Sequence, residues 1–182
     1  MHQHNMTAFV PETVKFKVSP VYAMQIDQGH AVQQDVTEDE IFIEVQKFSG
    51  HPSQNLILWL QHFKHAKDMC QWRDSHLLRM LKLLLSGQAL SFILSRNPAD
   101  YDSAIQSLKQ YYIPANAYFL YHQKLRSYKL KEGPSVASYE YSLNQLKNCL
   151  NETAATPEDK VSETQMLSYF IDGLPERIKQ NC

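Results

Sequence analysis

Residues 131–150 read KEGPSVASYEYSLNQLKNCL. The first part cannot be helical. Glu132-Gly133-Pro134 joins a permissive glycine to a proline that restrains the residue before it. Ser135 then stands where a helix N-cap belongs, with a hydroxyl able to accept from the first orphan N–H groups. Val136, Tyr139, Leu143, Leu146 and Leu150 follow at steps of three and four, which makes one apolar stripe down an amphipathic helix. This turn and helix predict a helical unit packed along that stripe.

Working outward, most of the chain carries the same period. Ser49-Gly50-His51-Pro52 is a turn, Ser53 is placed to cap, and Leu56, Trp59, Leu60 and Phe63 form a helical stripe. Asp74-Ser75 precedes a second helix with Leu77, Leu78, Leu81, Leu84 and Leu85 on one face. Met80 and Leu83 widen its arc, and Gly87 suits its C-terminal end. A short helix from Ala89 to Leu94 and one with Tyr101, Ile105, Leu108 and Tyr112 on one face come next. Pro114 breaks the pattern and predicts a boundary between two lobes. Ala115 to Leu130 reads as helix. Thr156-Pro157-Glu158-Asp159 has a capping threonine, a proline at the first helical position and acids against the positive end of the dipole. It predicts a helix reaching Asp172, with Val161, Thr164, Leu167, Ser168 and Ile171 along one side and Met166 and Phe170 beside it. One of these faces packs inward and the other is free, so Met166 and Phe170 are the candidate contact with a second copy.

The first 40 residues are different. Val14, Phe16 and Val18 alternate like a strand, and VYAMQI (residues 21–26) could return beside them, so an arm or a hairpin both fit. Thr37 to Glu40 has the form of a capping box, yet Ile41, Ile43 and Val45 alternate like a strand. The expected divisions are therefore 1–40, an N-terminal arm or hairpin, then 41–113 and 114–182, two small helical lobes.

Composition narrows the function. Of 182 residues 43% are hydrophobic and 20% charged, which allows a packed core. The net charge of −1 argues against a surface devoted to coating nucleic acid. Residues 1–40 hold two basic and six acidic groups; the remainder holds 16 basic and 13 acidic, so neither part is a basic tail. Three cysteines, far apart and with no C-x-x-C, fit free thiols in a reducing compartment. No apolar run approaches the roughly 20 residues of a membrane span, and residues 1–10 lack the form of a secretory signal, so a cytoplasmic protein is expected. His62, His65 and Cys70 could be imagined as metal ligands, but no spacing supplies a fourth, and solvent-side positions on a helix account for them. No P-loop, G-x-S-x-G, H-E-x-x-H or aspartic-protease triplet occurs. The chain is read as no enzyme, without cofactor. Ten tyrosines could suggest base stacking, but Tyr101, Tyr112, Tyr121, Tyr128 and Tyr139 fall on apolar helix faces.

Several short motifs stand in a familiar order. E-G-x-S-V-x-x-Y before a Leu-rich helix (Glu132, Gly133, Ser135, Val136, Tyr139, then Leu143) resembles the homology region of Gag capsid proteins of gypsy-type LTR retrotransposons and their domesticated relatives, the neuronal Arc protein and the paraneoplastic Ma antigens. Phe48-Ser49-Gly50 with Trp59-Leu60 and Phe63 resembles the family's opening F-x-G … W-L-x-x-F. Trp72 and Asp74, then Leu85-Ser86-Gly87-Gln88-Ala89, resemble its W-x-D … L-x-G-x-A. Leu108 and Tyr112 stand where the family has a leucine and an aromatic. Phe170-Ile171-Asp172-Gly173-Leu174-Pro175 resembles its closing F-x-x-G-L-P. The resemblance spans residues 47–181. It implies an all-α fold of two lobes that self-associate into hexamers and pentamers of a shell enclosing RNA, with dimers of the C-terminal lobe and particles in the cytoplasm, without a membrane partner. A domesticated Gag module would instead hold a peptide or partner protein in a groove of the N-terminal lobe, lined by Trp59, Phe63, Leu77 and Leu81. No zinc knuckle of the form C-x-x-C-x-x-x-x-H-x-x-x-x-C occurs, so RNA packaging is not carried over to these residues.

Overall fold

A computed structural model describes residues 9–19, 40–131 and 134–179. The chain is mostly helical, with a short two-stranded sheet near the N-terminus. It divides into two compact units between Tyr112 and Ile113.

In the first unit, β1 (Thr13–Lys17) pairs antiparallel with β2 (Phe42–Gln46), in the register Thr13 to Gln46 and Lys17 to Phe42. The alternation of Ile43 and Val45 therefore marks a strand. The pairing crosses the boundary expected at residue 40, and residues 13–18 form part of the unit. The returning strand expected at 21–26 and most of the capping box at 37–40 lie outside the described residues. Val18 and Val45 are buried. Lys15–Glu44 and Lys17–Glu40 pair on the solvent side at 3.1 and 2.5 Å.

Helix α1 (Leu56–Cys70) buries Leu56, Trp59 and Phe63 of the expected stripe, with Ile57 and Ala66 beside them, and leaves Leu60 half-buried. Its cap is Asn55, whose side chain accepts from Ile57 and Leu58 N–H, and not Ser53. Ser53 is taken up by His51: its hydroxyl lies 2.7 Å from Nδ1, and its N–H also donates to that nitrogen. A 3-10 turn at Asp74–His76 leads into α2 (Leu77–Leu84). This helix stops before the glycine expected to end it. Phe48 N–H donates to Leu84 C=O and Ser86 N–H donates to Phe48 C=O, so Leu85 is pulled into extended backbone beside Phe48. Gly87, at φ +49°, instead opens α3 (Gly87–Arg96). Asn97 closes α3 in the left-handed conformation. Asp100 then caps α4 (Tyr101–Tyr112), accepting from Ser103 N–H at 2.8 Å, a bond that lowers its carboxyl pKa.

In the second unit, α5 (Ala117–Ser127) packs along α6 (Val136–Thr153), and α7 (Glu163–Gly173) lies against both, followed by a turn of helix, α8 (Glu176–Lys179). Leu125, Tyr139, Leu143, Leu150, Val161, Met166 and Leu174 form its core, with Tyr118, Tyr121, Tyr128 and Phe170 packed around them. Helix α6 runs three residues beyond its expected end, and Val136 at its start is exposed because packing begins only at Tyr139. The helix expected from Pro157 is two pieces. Thr156 and Asp159 do form a capping box, but it closes a 3-10 turn, Pro157–Asp159. Lys160 is extended, and Val161 turns inward with its N–H on Asn151 Oδ1 at 2.9 Å. A second box, Ser162 with Gln165, starts α7.

Candidate assembly surfaces

The motif helix α6 begins as its sequence requires: Ser135 Oγ accepts from Ser138 N–H at 3.1 Å. Glu132 and Gly133 lie outside the described residues. One turn on, Tyr139 is buried and its ring stacks on Tyr128, centroids 5.7 Å apart, and tilts against Phe170 at 5.4 Å. Its hydroxyl points at three carbonyls, those of Tyr169 and Phe170 at 3.3 Å and of Tyr128 at 3.5 Å. Burial first, then Tyr128 and Asp172, push its pKa up, so it stays a donor. Gly173 lies directly beneath. A β-carbon there would run into the Tyr139 hydroxyl and stand 2.8 Å from the Tyr128 carbonyl oxygen. Leu130 N–H donates to Gly173 C=O at 2.9 Å. Tyr139 and Leu143 are thus core residues, and the tyrosine of one motif closes on the glycine of another, 34 positions later.

In the first unit Phe48-Ser49-Gly50 is fixed in the same manner. Gln54 accepts from Ser49 N–H and Oγ and donates to Lys47 C=O at 2.8 Å. Trp59 donates its ring N–H to Gln46 C=O at 2.6 Å and packs between Phe48 and Phe63. Phe63 continues to Trp72 and Tyr101. The expected groove is corrected here. Trp59, Phe63, Leu77 and Leu81 are all buried, at 6, 0, 5 and 0% exposure, so they are core and line no groove.

The expected interface is also corrected. Met166 is 7% exposed and belongs to the core, and Phe170 is half-buried against Tyr139. With α7 starting at Glu163, Met166, Tyr169, Phe170 and Gly173 fall at i, i+3, i+4 and i+7 and turn inward. The outward face carries Thr164, Leu167, Ser168 and Ile171, with Leu167 at 59% and Ile171 at 46% exposure. Phe119 on α5 and Tyr141 on α6 are also exposed. In the first unit the exposed apolar residues include Leu83, Leu94 and Tyr111.

His62 and His65 stand exposed on α1 and Cys70 half-buried at its end, where burial raises the thiol pKa. Among the described residues no group of three or more His, Cys, Asp or Glu comes together as a metal site, and no helix is long and apolar enough to cross a membrane. Sequence reasoning missed Gln54 and Asn151. Each side chain holds a backbone group several residues away, and no periodicity marks such a partner. No protein-family model matches the chain, and no curated protein matches it significantly.

Proposed function

We propose that this chain is a capsid subunit of the gypsy-type Gag class, assembling into cytoplasmic particles that enclose RNA. The ordered motifs support this reading, and one contact carries it furthest. Tyr139 of the homology region seats its hydroxyl on Gly173 of F-x-x-G-L-P, which gives two short resemblances a common structural reason. The homology region then holds the second unit together, and contacts between copies fall to exposed faces. The Leu167–Ile171 face of α7 is the first of these, with both side chains exposed, and a small isologous contact is one that one or two anchors can dominate. The alternative, a domesticated Gag module holding a peptide between Trp59, Phe63, Leu77 and Leu81, is weakened by the burial of all four. Electron microscopy of the purified chain, with and without added RNA, tests the proposal. Closed particles are expected; fields without assemblies at any salt or concentration would refute it.

A further inference from the structure

The ladder between β1 and β2 extends past both strand ends. Val18 N–H donates to Ile41 C=O at 2.8 Å, and Lys47 N–H donates to Glu12 C=O at 2.7 Å. Ser19 N–H donates to Met69 C=O at 2.9 Å, near the end of α1. Val18 is buried, Phe16 meets Trp72 edge-on with centroids 4.9 Å apart, and Phe9 stacks on His51 at 4.1 Å. Three ion pairs cross the same boundary: Lys15–Glu44, Lys17–Glu40 and Glu12–Lys47. Each of these contacts joins residues 9–19 to residues 40–72. Yet 24 residues of chain separate the two strands, where a hairpin uses about two to five.

We infer that β1 is an exchangeable arm, which at high protein concentration leaves its own copy and docks in the same seat on a second copy of this chain. The seat selects this occupant. It offers Glu44, Glu40 and Lys47 to two lysines and a glutamate at fixed spacing, a buried place for Val18 and the Trp72 ring for Phe16. A second copy carries that whole set by its sequence. Every contact survives the exchange and only the connection changes, which makes such swaps a low-cost route to association. A short hairpin would forbid it, because the strand could not reach a neighbour. The 24 residues between the strands can span at most about 80 Å, several times the radius of gyration of a unit of this size, about 13 Å. Tethering over such a length gives an effective concentration on the order of 1 mM, so a second copy competes once its own concentration nears that value. The inference stands apart from the capsid reading, since exchange links copies whether or not they close into particles.

Thr13 and Gln46 stand opposite each other and both are exposed. Since Lys47 and Glu12 share a ladder bond, the next pair is the non-hydrogen-bonded kind, with Cα atoms about 4.5 Å apart and within disulfide range. The test mixes two full chains, one carrying Thr13→Cys and the other Gln46→Cys, oxidises them and assigns the linked peptides by mass spectrometry. Dimers joined between positions 13 and 46 are expected, with a yield that rises at least about tenfold from about 10 µM to about 1 mM. Lys15→Cys mixed with Gln46→Cys, which is out of register, should link far less. Thr13→Cys/Gln46→Cys in one chain should close within that chain at low concentration. Circular dichroism checks each variant, and Lys17→Cys with Phe42→Cys, the other end of the register, serves if a substitution perturbs folding. No dimer in the mixture while the double variant closes, or equal yields from matched and shifted pairs, would overturn the inference. So would a double variant that does not close, because the seat would then be wrong.

Discussion

Gly173 has no room for a β-carbon, because the Tyr139 hydroxyl and the Tyr128 carbonyl occupy that space. Gly173→Ala should therefore destabilise the second unit by about 1–3 kcal/mol, the usual cost of forcing a methyl group into a filled site. Tyr139→Phe alone should cost about 0.5–1.5 kcal/mol for the lost hydrogen bonds. The two should not add. Removing the hydroxyl opens part of the space that the alanine needs, so the double variant should melt above the sum of the singles, with a coupling of about 0.5–3 kcal/mol. Thermal melts followed by circular dichroism measure this cycle; strict additivity would mean that the two residues do not share the contact. Trp59 makes a similar claim on the first unit. It is buried between Phe48 and Phe63 and donates to Gln46, so Trp59→Ala should cost about 3–5 kcal/mol in chemical denaturation.

At the scale of the element, phase and capping decide which side chains face inward. Asn55, not Ser53, accepts from the first turn of α1. Asn55→Ala should lower stability by about 1 kcal/mol, while Ser53→Ala should stay within about 0.5 kcal/mol; the reverse order in urea unfolding would move the cap. The stripes at Leu56–Phe63 and Tyr139–Leu150 were legible because each is a run of apolar residues at one helical period. The start of α7 was not. Two capping boxes stand six residues apart, at Thr156 and Ser162, and local chemistry alone does not rank them. The deciding event is tertiary: Val161 turns into the core and Asn151 takes its N–H. That shift turns Met166 inward. Met166→Asp should consequently unfold the second unit, since an unpaired charge in a core costs about 3–5 kcal/mol. Leu167→Asp should leave its helical circular dichroism and melting temperature nearly unchanged. The pairing of β1 with β2 was hidden for another reason. Its partners are separated by 24 residues of intervening chain, and strand alternation does not name a partner.

The whole molecule has two compact units in one chain, held internally by the motif residues, and the proposed self-association would use their exposed apolar faces. The lock at Tyr139 and Gly173 and the face at Leu167 and Ile171 make separable demands, the first on folding and the second on the proposed assembly. The most direct measurement is the particle mass of the full chain by light scattering, at rising protein concentration and salt, with Leu167→Asp/Ile171→Asp beside the wild type. Megadalton particles are expected for the wild type and small species for the variant, with equal helicity. A wild-type chain that stays monomeric or dimeric throughout would contradict it.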